Sequence, residues 1–134
     1  MFNKKLKDLE CSDIEKMIEG QISQSITLDC KVDFPSTEDE RYKGKNLKRL
    51  YHEIAKDITG LANTDGGNLI YGIRDEGNIA TEIVGIEPKR GNEEICDWLT
   101  SFMYNGGVTY KVIYRTHIIK ILNSEKIILV IEVP

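Results

Sequence analysis

The fold is decided by one stretch, Leu61-Ala62-Asn63-Thr64-Asp65-Gly66-Gly67-Asn68-Leu69-Ile70-Tyr71-Gly72-Ile73-Arg74-Asp75. Asn63 and Gly66 are residue types that adopt a positive φ at little cost, so a helix should end here and the chain should reverse. The short apolar run that follows, with Leu69 at its start, is typical of a strand covered on both faces. The stretch therefore predicts a helix, a tight turn and a buried strand in direct succession.

The residues before this turn have helical periodicity. Apolar residues recur at steps of three and four, while charged residues fall on the other side. The apolar positions are Leu47, Leu50, Ile54, Ala55, Ile58, Leu61 and Ala62, and the charged ones are Lys48, Arg49, Glu53, Lys56 and Asp57. The pattern predicts an amphipathic helix with one buried stripe.

Residues 25–34 alternate strictly between apolar and polar side chains. The apolar set is Ile26, Leu28, Cys30, Val32 and Phe34, and the polar set includes Asp29 and Lys31. A period of two is typical of a half-buried strand. Asp29 and Lys31 should therefore point to the same, polar side of that strand.

The other segments complete an α+β pattern. The sequence predicts a short N-terminal helix with Ser12 as its N-cap and a second main helix that begins after Asn92 and ends at Asn105-Gly106-Gly107. It also predicts antiparallel strands within residues 108–122 and 127–133. We expect a single α+β domain with a mixed β-sheet of about five or six strands, packed by two main helices plus the short N-terminal helix. Because Pro134 directly follows an apolar strand, we also expect a chain truncated at the C-terminus of a longer protein.

Composition limits the classes of function. The chain has 134 residues, of which 40% are hydrophobic and 30% charged, with a net charge of −4. No apolar run is long enough to span a bilayer and no signal-peptide pattern is present, which predicts a cytoplasmic protein with no membrane partner. Three widely spaced cysteines favour neither a disulfide framework nor a zinc site.

Asp29 and Lys31 are the first candidate catalytic residues. Carboxylates hold Mg²⁺ or Mn²⁺ through oxygen, and a lysine beside them can stabilise charge on a phosphate. Asp75 would supply a second carboxylate and metal ligand if its strand pairs beside that of Asp29. On the residues alone, the simpler interpretation is that Asp29 and Lys31 are solvent-facing strand residues with no cofactor.

Basic residues cluster within nine positions, at Arg41, Lys43, Lys45, Lys48 and Arg49. With Arg74 and Lys31 they could contact the phosphates of a nucleic acid. The competing interpretation is a solvated loop and helix start, because Glu38, Asp39 and Glu40 partly cancel the field. The pair Gly66-Gly67 does not form a phosphate-binding loop, since the order is helix then strand and the Walker pattern is absent.

Two segments together resemble a known family. They are Gln24-Ser25-Ile26-Thr27-Leu28-Asp29-Cys30-Lys31 and Ala62 to Asp75 with its Asn-Thr-x-Gly-Gly motif. They resemble the Schlafen AlbA-like domain family, whose pattern is E-S-x-x-x-E-F-K, then A-N-T-x-G-G, then G-V-x-D. Within that motif, Asn63, Thr64, Gly66 and Gly67 have a structural role, which is to form the tight turn.

The resemblance implies an α+β domain with a mixed sheet that binds nucleic acid, DNA or RNA, often as the N-terminal module of bacterial transcriptional regulators or defence proteins. In animal Schlafen proteins the equivalent fold can cut tRNA or rRNA with three acidic residues. Those acids correspond to Gln24, Asp29 and Asp75 here. Gln24 is neutral and binds a divalent cation less well than a carboxylate, which puts nuclease activity in doubt.

Three hypotheses follow from the sequence. The first is a nucleic-acid-binding module. The second is a ribonuclease that depends on Mg²⁺ or Mn²⁺ and has a degenerate acidic site. The third is a sensory or oligomerisation module of a larger protein, whose partner domain was lost with the C-terminus. A homo-oligomer is a further expectation for the partners of the chain.

Overall fold

The computed structural model describes residues 4–21, 28–34, 47–63, 65–103 and 113–134, with the backbone alone for residues 47–51. Three α-helices, one 3-10 helix and eight strands lie in this part of the chain. The helices are the 3-10 turn Leu6–Asp8, α1 Cys11–Glu19, α2 Leu47–Ala62 and α3 Ile95–Phe102. The strands are β1 Leu28–Lys31, β2 Gly67–Tyr71, β3 Ile73–Glu76, β4 Ile79–Ile83, β5 Lys89–Arg90, β6 Glu93–Glu94, β7 Arg115–Lys120 and β8 Ile127–Val133.

The main sheet is mixed and has the strand order β1-β2-β8-β7. β1 runs parallel to β2, and β8 pairs antiparallel with both β2 and β7. The other strands form two separate hairpins, β3–β4 and β5–β6. The predicted α+β class and mixed sheet are confirmed, with four strands in the main sheet of the described residues and the remainder in the hairpins.

Two hydrophobic cores lie on opposite faces of the main sheet. One contains α2 and α3 with residues such as Ile54, Leu69 and Leu99, and the other contains α1 and the β3–β4 hairpin with Ile14 and Ile70. In β8, alternate residues from Ile127 to Val130 enter the two cores, which explains why this strand is almost continuously apolar.

The helix-turn-strand prediction is confirmed. After α2, the Asn63 N–H donates to the Thr59 carbonyl at 2.9 Å and the Gly66 N–H donates to the Leu61 carbonyl at 3.1 Å. Gly66 and Gly67 have φ of 79° and 141°, a region that favours glycine. Thr64 lies outside the described residues.

Two details of the strand predictions differ from the structure. The apolar run after the turn forms two strands, because Gly72, with φ of 107°, turns the chain out of the main sheet and into the β3–β4 hairpin. The predicted strand over residues 25–34 ends at Lys31. Val32 is exposed, and Phe34 enters the core beneath α2 and α3 instead of the core that holds Leu28 and Cys30.

The predicted cap of the first helix was also placed wrongly. Glu10, not Ser12, is the N-cap of α1, and its N–H donates to Asp13 Oδ2 at 2.8 Å. Asp13 is the third helical residue, so its side chain reaches back over the first turn. None of the described helices combines the length and the apolar character that crossing a bilayer requires.

Candidate functional site

Asp29 and Lys31 come together on the sheet face that α2 covers. Their spacing of two along β1 puts both side chains on the same side of the strand. The Lys31 Nζ lies 3.4 Å from Asp29 Oδ2, and the side chains are 41% and 34% exposed. Both residues are therefore accessible from solvent at the edge of a hydrophobic core.

Asp57 of α2 is the second carboxylate at this site. Its Oδ1 lies 3.9 Å from Lys31 Nζ, and its Oδ2 accepts a hydrogen bond of 3.4 Å from the Tyr71 hydroxyl. Its side chain is only 19% exposed. We call Asp29, Lys31, Asp57 and Tyr71 the Lys31 cluster.

The sequence did not identify Asp57 as a site residue, because helical periodicity assigned it to the polar side of α2. That assignment was too coarse, since the carboxylate lies at the boundary between the buried stripe and solvent. One signal was present in the sequence: Glu53 and Asp57 are four residues apart and so share one face of the helix. No local pattern could have predicted that β1 would lie beneath that face.

The pKa shifts show how closely these groups interact. Burial raises the pKa of Asp57, and the charges of Asp29 and Glu53 add to the rise while Lys31 opposes it. Burial also acts to lower the pKa of Lys31, but the combined attraction of Asp57, Asp29 and Glu53 raises that pKa overall. At neutral pH, Lys31 is therefore a charged donor surrounded by carboxylates.

Tyr71 remains protonated in the same cluster. Its burial, followed by the nearby charges of Asp57 and Asp29, raises the pKa of the hydroxyl well above its ordinary value. The hydroxyl is therefore a hydrogen-bond donor to Asp57 at any physiological pH. Taken with Glu53, the cluster has more negative than positive charge, which disfavours a bare phosphate bound directly at Lys31.

Asp75 lies on β3, the strand that follows Gly72, whereas the strand that pairs with β1 is β2. Its cross-strand neighbour is Ala80 in the β3–β4 hairpin. Its charge acts on Cys30, whose pKa rises to about 12, first through burial and then through Asp29 and Asp75. β3 also lies against β1, so Asp75 is near the strand that carries Asp29 and Lys31, and its place in one site with them stays a prediction.

The described residues do not fit a three-acid metal centre. Among them, no three His, Cys, Asp or Glu side chains are grouped so that they could hold a metal ion. Gln24, the position corresponding to the remaining family acid, lies outside the described residues. The prediction that Asp29 and Asp75 bind Mg²⁺ or Mn²⁺ therefore stays a prediction.

The predicted phosphate-contacting residues differ in their structural environment and in how much of each the structure describes. Arg74 forms an ion pair of 3.1 Å with Glu82, in which both side chains are 54% exposed. Lys48 and Arg49 fall in the first turn of α2, a turn without acidic residues. The side chains of these two residues are not among the described ones, and Arg41, Lys43 and Lys45 lie outside the described ranges altogether.

A row of aromatic side chains extends away from the Lys31 cluster. Phe34 packs edge-on against Tyr71 at 4.8 Å and against Trp98 at 5.7 Å, measured between ring centroids. Trp98 in turn stacks on Phe102 at 5.3 Å. Trp98 also contacts Arg90, whose Cζ lies 4.2 Å from the Trp98 centroid and 5.2 Å from that of Phe34. No sequence pattern distinguished Arg90 from other surface arginines.

One solved structure with similarity to this chain is the solution NMR structure of the N-terminal domain of an ATP-dependent DNA helicase RecG-related protein from Nitrosomonas europaea. It has 20% sequence identity and a TM-score of 0.47, and the match covers 94% of this chain and 73% of that one. No curated protein matches the chain.

The family comparison covers most of the sequence. The family model described as Schlafen, AlbA_2 matches residues 24–134, which include β1, the α2-turn-β2 unit and every later element. The match contains both segments on which the sequence resemblance was based. The chain therefore belongs to the Schlafen, AlbA_2 family.

Proposed function

We propose that this chain is a nucleic-acid-binding domain whose contact surface centres on the basic segment of residues 41–49. Family membership carries the proposal, since it indicates a nucleic-acid-related domain. The segment contains Arg41, Lys43, Lys45, Lys48 and Arg49.

The charge distribution supports a local contact surface. With a net charge of −4, the protein repels a polyanion on average, so binding must rely on a region where cations outnumber acids. Lys31 and Arg74 are poor candidates for the main contact because each already faces a carboxylate. The basic segment includes Lys48 and Arg49, the members that α2 contributes.

The N-terminus of α2 is a second feature that favours the binding of an anion. Backbone N–H groups at a helix N-terminus attract anions, and this helix has 16 residues with no acid in its first turn. Lysines and arginines in the same turn would hold a phosphate near those N–H groups. The helix end and the basic side chains would then act on the same phosphate backbone.

The test compares two charge-matched double variants. Lys43→Glu with Lys45→Glu reverses two charges in the basic segment, and Lys16→Glu with Lys126→Glu reverses two exposed lysines on α1 and before β8. Both variants have the same net charge. We expect the first to weaken binding to duplex DNA, tRNA or a single strand by at least about tenfold more than the second. Equal losses in the two variants would contradict the proposed surface.

The ribonuclease hypothesis needs a separate measurement. We expect tRNA incubated with the wild-type protein and Mn²⁺ to stay intact, because Gln24 is neutral and binds a divalent cation less well than the carboxylate of the family pattern. Cleavage that disappears in Asp29→Ala would contradict this expectation and establish the second function. Gln24→Glu, which restores the family acid, reveals whether a degenerate site can be reactivated.

A further inference from the structure

We infer that the outer edge of β7 binds an extended acidic segment of a partner protein, which adds to the main sheet as a further strand. β7 ends the strand order β1-β2-β8-β7, so it lies at the edge of the sheet opposite to β1. The inference is independent of the proposed nucleic-acid contacts, because it uses no residue of the basic segment.

Hydrogen bonding in β8 shows which backbone groups of β7 point outward. The Ile127 N–H donates to the Ile86 carbonyl at 2.9 Å, and the Ile127 carbonyl accepts from the Ile86 N–H at 2.8 Å. Both groups of Ile127 are thus directed away from Lys120, its neighbour on β7. Because this direction alternates along an antiparallel pair, the N–H and C=O groups of Thr116, Ile118 and Lys120 point away from β8.

These outward groups are open to another chain. Within the part of the chain that the structure describes, the backbone groups of Thr116, Ile118 and Lys120 have no hydrogen-bond partner. An extended peptide that adds to such an edge pairs with both the N–H and the C=O groups. A phosphate backbone only accepts hydrogen bonds from the N–H groups, so it would leave the carbonyls unpaired. The edge therefore suits a polypeptide better than a nucleic acid.

A cleft of about 550 Å³ lies beside this edge, between residues 117–120 and the N-terminal segment from Lys4 to Cys11. The segment is held in place because Leu9 is buried and its carbonyl accepts a hydrogen bond of 2.9 Å from His117 Nε2. Ile118 also lines the cleft, although its side chain packs against the opposite core. Its backbone is therefore the part that faces the cleft, which places the open hydrogen-bonding groups at the binding surface.

The charges around the cleft favour an acidic partner. Lys7 and Lys120 are exposed, and neither forms an ion pair with any residue whose position is described. Lys4 and Glu10 are already engaged, the first in an ion pair of 3.2 Å and the second in the cap of α1. Asp8 is the acid that remains in the lining. The two lysines thus outweigh it and can pair with carboxylates of a bound strand.

The same charges disfavour a second copy of the chain at this edge. Pairing of β7 with β7 would bring Lys7 and Lys120 of both molecules together, and like charges across a strand pair oppose association. A lysine on an edge strand is also a common protection against such pairing. An acidic segment would meet the opposite situation.

Leu122 adds an apolar contact at the end of the strand. It follows Lys120 by two residues and is 84% exposed. Its backbone interacts with the thiol of Cys11, a residue that lines the cleft. The partner segment should therefore have acidic residues with an apolar residue at one end.

The experiment measures amide hydrogen exchange of the protein with a synthetic peptide. The probe is a blocked peptide of six residues, the length of β7, in which glutamate and valine alternate and one end is leucine. In the free protein, the amides of Thr116, Ile118 and Lys120 should exchange on the order of tenfold or more faster than those of His117 and Ile119, which bond to β8. The acidic peptide should slow the exchange of the outward amides. A peptide with lysine in place of glutamate, and an acidic peptide with N-methylated backbone, should not.

Two charge-matched double variants test the lysines. Lys7→Glu with Lys120→Glu should weaken binding of the acidic peptide by about tenfold more than Lys16→Glu with Lys126→Glu, measured by calorimetric titration. All four lysines are exposed, so both variants should fold, and thermal unfolding checks this.

Several results would overturn the inference. Outward amides that are already protected in the free protein would show a closed edge, and protection that rises with protein concentration would assign the edge to a second copy. Protection by duplex DNA but not by the peptide would assign it to a nucleic acid. Equal effects of the three peptides, or equal losses in the two variants, would remove the acidic segment as the partner. A protein that fails these tests but loses DNA or RNA binding on Lys43→Glu with Lys45→Glu would still have the proposed function.

Discussion

At the scale of single residues, Gly66 is where backbone conformation and packing both require glycine. Its φ is 79°, and an added Cβ would fall on the Val133 carbonyl oxygen and lie 2.7 Å from the Pro134 carbonyl carbon. We expect Gly66→Ala to lower the free energy of unfolding by about 2 kcal/mol or more, measured by urea denaturation.

Two other glycines serve as controls for this prediction. Gly60 lies within α2 and Gly91 has φ of 64°, and neither would bring a Cβ within 4 Å of another group. Gly60→Ala should stabilise by roughly 0.5 to 1 kcal/mol through helix propensity. Gly91→Ala should cost about 1 kcal/mol through its backbone conformation alone. If Gly66→Ala costs no more than Gly91→Ala, the close approach to Val133 and Pro134 is not a real constraint.

The buried carboxyl group of Asp57 should give the free energy of unfolding an unusual pH dependence. Its pKa is raised above 3.8 in the folded protein, mainly by burial, so the folded state holds this proton more tightly than the unfolded state does. Its contribution to stability is therefore greatest at low pH and is lost as the pH rises from 3.8 through the raised folded-state pKa. Asp57→Asn should be at least as stable as the wild type at pH 7, with a difference that shrinks as pH falls.

The carboxyl group of Asp13 should make stability depend on pH in the opposite direction. The hydrogen bond from the Glu10 N–H, assisted by Lys4, lowers the pKa of Asp13 below 3.8. Its stabilisation is present above that pH and is lost as pH falls through the lowered folded-state pKa. Asp13→Asn should therefore be less stable than the wild type at pH 7. Urea midpoints that shift in the same direction for both variants would contradict the assigned causes.

At the scale of elements, the sequence was most informative where periodicity and turn chemistry agreed. α2, its glycine turn and the buried β2 were all predicted, since apolar positions at steps of three and four give way to an apolar run directly after Gly66. The division into β2 and β3 was not predicted. In the sequence, nothing distinguishes Gly72 from an ordinary strand residue. In the structure, Gly85 packs against it, and a Cβ added to Gly72 would lie 3.1 Å from the Gly85 Cα.

The end of β1 is a second limit of the sequence pattern. Alternation continues to Phe34, but hydrogen bonding to β2 ends at Lys31, and the chain then crosses to the other core. Phe34 is only 7% exposed there, whereas Val32 is 36% exposed. The sequence pattern alone could not distinguish these two residues.

The difference in burial between Phe34 and Val32 gives a prediction about stability at the end of β1. Phe34→Ala should lower the free energy of unfolding by about 3 kcal/mol, because it removes the ring that packs between Tyr71 and Trp98. Val32→Ala should cost less than about 1 kcal/mol. Chemical denaturation of the two variants checks both values, and equal costs would mean that the strand continues past Lys31 as the alternation suggests.

At the scale of the whole molecule, the candidate site depends on distant segments that sequence patterns do not relate. Asp29 and Lys31 could be paired from their spacing on one strand. Asp57 joins them because β1 and β2 are parallel neighbours and α2 packs over them, a consequence of the tertiary fold. Asp75 lies beyond the turn at Gly72, in the β3–β4 hairpin, and the sequence did not predict that change of direction.

The net charge of −4 makes salt dependence the sharpest test of nucleic-acid binding by the whole domain. The measurement is the affinity for duplex DNA, and separately for tRNA, over a salt range of about 50 to 200 mM. If about four basic residues contact phosphates, the duplex slope of log K against log salt should be about −3.6 and the affinity should fall roughly 100-fold. Undetectable binding of every ligand at low salt, or an affinity that does not change with salt, would contradict the account.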